Sequence, residues 1–148
     1  MIKNNKKGFT LLELLIVIGM TVVVFAFSMP FGLRYYRGQI IDEATNNIID
    51  TLRNARQYSV LQKNDSPFGV NFTNSTGNFV LFQGSDYSTR APLLDEVYPL
   101  TSGISLSGLS QVVFAKQTGT PSATGTITVS YDILTKTVLV SDSGISKQ

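Results

Sequence analysis

"KKGFTLLELLIVIG", residues 6–19, sets two lysines and a glycine ahead of an apolar run and then places one carboxylate, Glu13, inside it. Glu13 is the only ionisable residue from Phe9 to Leu33. At 1.5 Å per residue those roughly 25 positions make a helix of about 37 Å, enough to cross the ~30 Å hydrocarbon of a bilayer. The run therefore predicts a membrane-spanning helix over 9–33.

A cleaved secretory signal also has a basic start and an apolar core, but such a core is about 7–15 residues long. This one continues through Val22, Val23, Val24, Phe25 and Phe27. Lys3, Lys6 and Lys7 precede it, so the excess of basic residues keeps the N-terminus in the cytoplasm and sends the rest outward. Tyr35 and Tyr36 then fall where an interfacial aromatic belt sits, flanked by Arg34 and Arg37.

A carboxylate near the middle of a bilayer costs about 2.5–3.5 kcal/mol on insertion scales, and the apolar run holds no base to neutralise Glu13. Its partner has to come from another subunit or from a new charge made by cutting the chain. A cut between Gly8 and Phe9 supplies such a charge as a free amine at the edge of the apolar segment. Glycine suits the scissile position, because a protease cleft takes extended backbone and Gly brings no side chain into it. In a staggered stack Glu13 could meet the amine of a neighbouring copy, and an ion pair in low dielectric fixes register even where its net stabilisation is modest.

"KGFTLLELLIVIG" closely resembles the N-terminal class III signal of type IV pilins and type II secretion pseudopilins. The resemblance implies that residues 1–8 are a cytoplasmic leader removed by a membrane prepilin peptidase after Gly8, that Phe9 is N-methylated, and that Glu13 is the glutamate used in assembly. Pro30 matches the helix-breaking proline many members carry along this helix. Physically it removes one amide and crowds the carbonyl of Ala26, which softens the rod, although a proline can equally mark the membrane exit.

Beyond the apolar run, Ile40, Ile41, Ala44, Ile48, Ile49, Leu52, Ala55 and Val60 recur at spacings of three and four. They predict an amphipathic helix within 34–63. "KNDSP", residues 63–67, stops it with turn formers and a proline. The remainder, 64–148, reads as strands: "FGVNFT" and "NFVLFQG" as a hairpin about "NSTG", then short strands near 97–100, 104–106, 112–116, 126–131 and 137–141. "KQTGTPSATGT" reads as a polar hairpin tip and "DILTK" as a turn. Asn71 and Asn74 each begin an N-x-Thr glycosylation pattern, which hairpin-turn chemistry explains equally well. The expected fold is α+β: a long N-terminal helix, transmembrane half then amphipathic half, packed on an antiparallel sheet in a pilin-like roll.

That layout, with "TLRNARQYSVLQKN", "GTITVSYD" and "KTVLVSDSG", looks most like minor pseudopilins of the GspH/FimT type. The likeness implies a minor subunit that primes or caps a type IV pilus, type II secretion or competence pseudopilus. Its partners would be other pilin or pseudopilin subunits, the prepilin peptidase, an inner-membrane assembly platform and, before assembly, membrane lipid. The chain would pass once through the bacterial inner membrane and then enter a filament outside the cytoplasm.

Composition narrows the alternatives. The chain has no cysteine and no histidine, which removes thiolate chemistry, disulfides, and the commonest general base and transition-metal ligand. No nucleophile–base spacing, phosphate-binding glycine loop or cofactor motif appears, so no enzyme activity, cofactor or small-molecule substrate is expected. Asp95 and Glu96 could join Asp132 or Asp142 around calcium, but no calcium-loop spacing supports that over ordinary loop charge. A DNA-binding minor pilin acting in DNA uptake is the alternative function. From Arg34 onward, however, nine lysines and arginines stand against nine aspartates and glutamates, and a neutral head disfavours binding a polyanion by bulk charge.

Overall fold

The computed structural model describes residues 8–72 and 77–147, with the side chains of 28–34 outside that description. Among the described residues one α-helix, α1 (Leu11–Val60), precedes eight strands. The chain divides into two units, Met1–Tyr36 and Arg37–Gln148. In the second, the amphipathic part of α1 packs on antiparallel sheets, an α+β fold.

Ile41, Ala44, Ile48, Ile49, Leu52 and Ala55 form the buried face of that helical part, at the spacing of three and four that period 3.6 imposes. Thr45, Thr51 and Ser59 are buried on it as well. Each hydroxyl donates to the carbonyl four residues back, those of Ile41, Asn47 and Ala55, so a polar group is buried without losing its bond. Ser59 carries further connections: its Oγ accepts from the Phe68 amide at 2.8 Å, and its carbonyl accepts from the Gln117 amide at 3.1 Å. One residue thereby ties the end of α1 to the first strand and to the loop near 117. Ile40 is only half-buried and Val60 is exposed, so the apolar stripe is narrower than the sequence suggests.

The helix stops where expected. Gln62, Asn64 and Asp65 adopt left-handed backbone angles, and Ser66 ahead of Pro67 is extended.

The strands form two sheets rather than the single sheet expected. The first contains β1 (Phe68–Asn71), β2 (Asn78–Gln83), β3 (Glu96–Pro99) and β5 (Gln111–Phe114), ordered β3-β2-β1-β5. The second contains β4 (Ile104–Gly108), β6 (Gly125–Tyr131), β7 (Leu134–Ser141) and β8 (Gly144–Lys147), ordered β4-β6-β7-β8. All pairings are antiparallel. One core joins them to α1: Val70, Phe79, Leu81, Val112 and Phe114 come from the first sheet, and Leu106, Ile127, Val129, Val138 and Val140 from the second.

Two segments differ from expectation. β5 and β6 lie in different sheets, so "KQTGTPSATGT" is a crossover and not a hairpin tip. It folds back, with Phe114 bridging to Pro121 and Ser122 bonding Val113. The end of the chain, beyond the last strand expected at 137–141, is a further strand, β8, turned by Asp142 and Ser143 against β7. "DILTK" does turn the chain, with only Asp132 and Ile133 between β6 and β7. Of the turn expected about "NSTG", residues 74–77, all but Gly77 lies outside the described residues, while β1 and β2 pair in register on either side.

Ion pairs fasten the second sheet to α1. Asp42 receives both Lys136 of β7 and Lys147 of β8, and these hydrogen bonds, Lys136 first, hold its carboxyl below the ordinary range. Arg37 pairs with Asp132 at the β6–β7 turn.

A second apolar layer lies on the outer face of the first sheet. Gly69 stands between Phe82 and Val113 in register, and a Cβ there would come within 2.7 Å of the Phe82 ring and 2.9 Å of Val113, so only glycine lets the two meet across it. Tyr87 stands edge-on to Phe82, and Arg90 lies 3.6 Å over the Tyr87 ring while its Nε bonds Asp95 at 2.7 Å. Asp86 closes this cap: it accepts from the Ser88 hydroxyl and amide and from Gln111 on β5, which hold its carboxyl down at about 2.

That depression has a pH consequence. Below the ordinary value of 3.8 the unfolded chain takes up the proton first, so the contribution of Asp86 is complete above about pH 4 and lost as pH falls towards about 2. Thermal melts across that window should show the melting temperature of Asp86→Asn falling less steeply with acid than that of the parent. Parallel slopes would remove Asp86 from the acid sensitivity.

Candidate functional site

The residues singled out by sequence lie in the first unit, where α1 begins. Gly8, Phe9 and Thr10 precede the helix in non-helical backbone, and all three are exposed. A Cβ built on Gly8 would meet nothing within 4 Å, and Phe9 is 81% exposed. The bond between Gly8 and Phe9 is thus flanked by open space among the described residues.

Thr10 makes the helix start. Its hydroxyl accepts from the Glu13 amide at 3.2 Å and its carbonyl accepts from the Leu14 amide at 3.2 Å, which makes it the N-cap and Glu13 the third helical residue. Thr-x-x-Glu is the sequence pattern of a capping box, and the hydroxyl half of that box is formed here. Sequence reasoning concentrated on the charge of Glu13 and overlooked Thr10, although the pattern was legible. Glu13 also favours the helix start through its position in the first turn, where a negative charge faces the positive end of the helix dipole.

From Leu11 to Phe27 every residue is exposed, on all faces of the helix. Leu11, Phe25 and Phe27 are more than two-thirds exposed, and a shallow apolar groove runs past Leu15, Ile16, Gly19, Met20, Val23 and Val24. Apolar surface this continuous calls for a cover, because water does not stabilise a helix that is apolar all round. Among the described residues no cation pairs with Glu13.

Among the described residues no helix is long and apolar enough to cross a membrane. The stretch from Leu11 to Phe27 is about 25 Å at 1.5 Å per residue, short of the ~30 Å hydrocarbon thickness. Residues 28–34, including Pro30, continue α1 with side chains outside the description, so the softening assigned to Pro30 lies there too. Lys3, Lys6 and Lys7 also lie outside the described residues.

Residues 3–29 match the prokaryotic N-terminal methylation motif. The chain therefore carries a type IV pilin-like prepilin signal, the segment that a prepilin peptidase processes and that assembles with other pilins. The match stops short of the head, and neither curated proteins nor solved structures yield a match to the chain. Within the prepilin signal, residues 8–27 are the ones that stand open at the start of α1.

In the head the acidic candidates are dispersed. Asp95 is held by Arg90 beside the first sheet, Asp132 by Arg37 at the β6–β7 turn, and Asp142 sits in the β7–β8 turn. Glu96 accepts from the Tyr98 hydroxyl at 3.0 Å. Tyr98 stacks on Phe79, and its hydroxyl is pushed up by burial and then by Glu96. These two rings line a cleft of about 260 Å³ together with Glu43, Ala44, Asn47, Pro99, Leu100 and Thr101. Among the described residues no group of three acidic side chains is placed to hold a metal ion.

Proposed function

We propose that the chain is a minor pilin or pseudopilin, a structural subunit that primes or caps a type IV pilus, type II secretion or competence pseudopilus. The observation that carries this reading is the first part of α1: apolar on every face, exposed on every face over residues 11–27, with one carboxylate that has no cationic partner among the described residues, within a prepilin signal. Such a helix needs two successive environments, lipid before assembly and neighbouring helices after it. Residues 1–8 would be the leader, 9–33 the membrane and filament-core helix, 34–63 the amphipathic helix and 64–148 the head.

In this reading the prepilin peptidase cuts between Gly8 and Phe9, Phe9 is methylated on its new amine, and Glu13 sets register against the amine of a neighbouring subunit. An inner-membrane platform would drive assembly, with the N-terminus in the cytoplasm and the head outside. A DNA-uptake role draws less support from the head. Among the described residues, Arg37, Arg53, Arg90, Lys116, Lys136 and Lys147 each pair with a carboxylate, so most of the head's bases are already engaged and are not gathered for phosphates.

Mass analysis of chain extracted from the membranes of a host with its prepilin peptidase tests the reading. The expected product begins at N-methylated Phe9. An intact Met1, or a cut beyond the apolar run, would remove the filament assignment.

A further inference from the structure

A helix that is already nucleated extends at little cost, so something must stop α1 from growing upstream through Phe9 and into the bond at which the leader is joined. Gly8 disfavours helix by about 1 kcal/mol, but it lies two residues upstream of Thr10, and Phe9 between them does not resist helix in any special way. The stop is Thr10, whose hydroxyl occupies the Glu13 amide at 3.2 Å and whose own backbone stays outside the helix. The exposed and non-helical state of Gly8 and Phe9 is the other side of the same arrangement.

We propose that Thr10 is a positioning residue for leader removal: by fixing the helix start at Leu11 it keeps the Gly8–Phe9 peptide bond in chain that a peptidase cleft can take up. The proposal rests on the prepilin reading. Hydrolysis breaks the bond between the Gly8 carbonyl carbon and the Phe9 nitrogen. Water supplies hydroxyl to the carbon, which becomes the leader's carboxylate, and a proton to the nitrogen, which leaves as the amine of the mature chain. An amide inside a helix has its carbonyl engaged and its backbone curled, so the bond must be unwound before it can be attacked. Thr10 removes that prior step without touching the reacting atoms.

The test uses full-length chain in detergent micelles with a prepilin peptidase and compares the parent with Thr10→Ser and Thr10→Ala. Release of the leader is followed by mass, and Cα chemical shifts are read at Gly8 and Phe9. Serine caps about as well as threonine and alanine does not, so Thr10→Ser should be cut within about twofold of the parent rate and Thr10→Ala about fivefold more slowly. Thr10→Ala should also shift Phe9 towards helical values, which a side chain read directly by the peptidase would not do. Parental cutting of Thr10→Ala, slowing without a change in the shifts, or equal slowing of Thr10→Ser would each overturn the proposal. If the parent itself is not cut after Gly8, the prepilin reading fails and takes the proposal with it. A parent that is cut normally beside an unaffected Thr10→Ala sinks the proposal alone.

Discussion

Gly108→Ala should destabilise the head by about 4 kcal/mol, the sum of a steric conflict and a backbone conflict of roughly 2 kcal/mol each. Gly108 is the last residue of β4, where the chain leaves the second sheet to cross into β5 of the first. Its φ is +101°, a region that residues with a Cβ rarely enter, and a Cβ built there would lie 2.1 Å from the Thr126 carbonyl oxygen. That oxygen belongs to β6 and accepts from the Leu109 amide at 3.3 Å, so it cannot retreat without loosening the β4–β6 pairing. The next residue but one, Ser110, gives its carbonyl to the Phe72 amide, so a shift at the crossover reaches the first sheet too. Urea unfolding of the purified chain measures the effect. Gly77→Ala is the control, because Gly77 also has positive φ, +62°, but among the described residues a Cβ there meets nothing within 4 Å, and about 1 kcal/mol is expected. Equal losses for the two variants would show that backbone conformation alone matters at Gly108 and that the contact with Thr126 is relieved.

The contrast between those two glycines explains what sequence could and could not reveal. Local signals were legible: the apolar run and its lone Glu13, the three-and-four spacing of Ile41, Ala44, Ile48 and Leu52, the stop at Asn64 and Asp65, and the alternation of Phe68, Val70 and Phe72 along β1 and just past it, whereas β2 buries Phe79, Val80, Leu81 and Phe82 in succession because both faces of the first sheet are covered. Each is decided within a few residues. Division into two sheets is not, because β4 and β5 are two residues apart in sequence yet pair with β6 and β1 respectively. Alternation marks a strand without naming its neighbour. Ser59 was hidden for a related reason: a hydroxyl reads as surface, and only the fold brings the Phe68 amide to it. Thr10 was hidden by emphasis rather than by distance, since its partner is three residues away.

Glu13→Val should leave insertion intact while reducing incorporation into filaments by roughly a hundredfold, the ~3 kcal/mol that stranding one half of a buried ion pair costs. Valine extends the apolar run and removes the insertion penalty, so a failure at the membrane step is not expected. Yet Glu13 is also the third residue of a capped helix, and loss of its side chain weakens the helix start as well as the charge. Valine alone therefore confounds two roles. Glu13→Gln separates them, because glutamine serves the same position of a capping box and carries no charge. If register depends on the ion pair, Glu13→Gln assembles as poorly as Glu13→Val although its leader is removed at the parental rate. If the side chain matters through the helix start, Glu13→Gln assembles normally and Glu13→Val does not. Quantifying mature subunit in sheared filaments against mature subunit in membranes decides between them, since both variants then enter the comparison already cut. Glu13 has no cationic partner among the described residues of its own chain, and this favours the first outcome: an unpaired carboxylate in an apolar helix is costly, and in the proposed filament the amine of another subunit would relieve that cost.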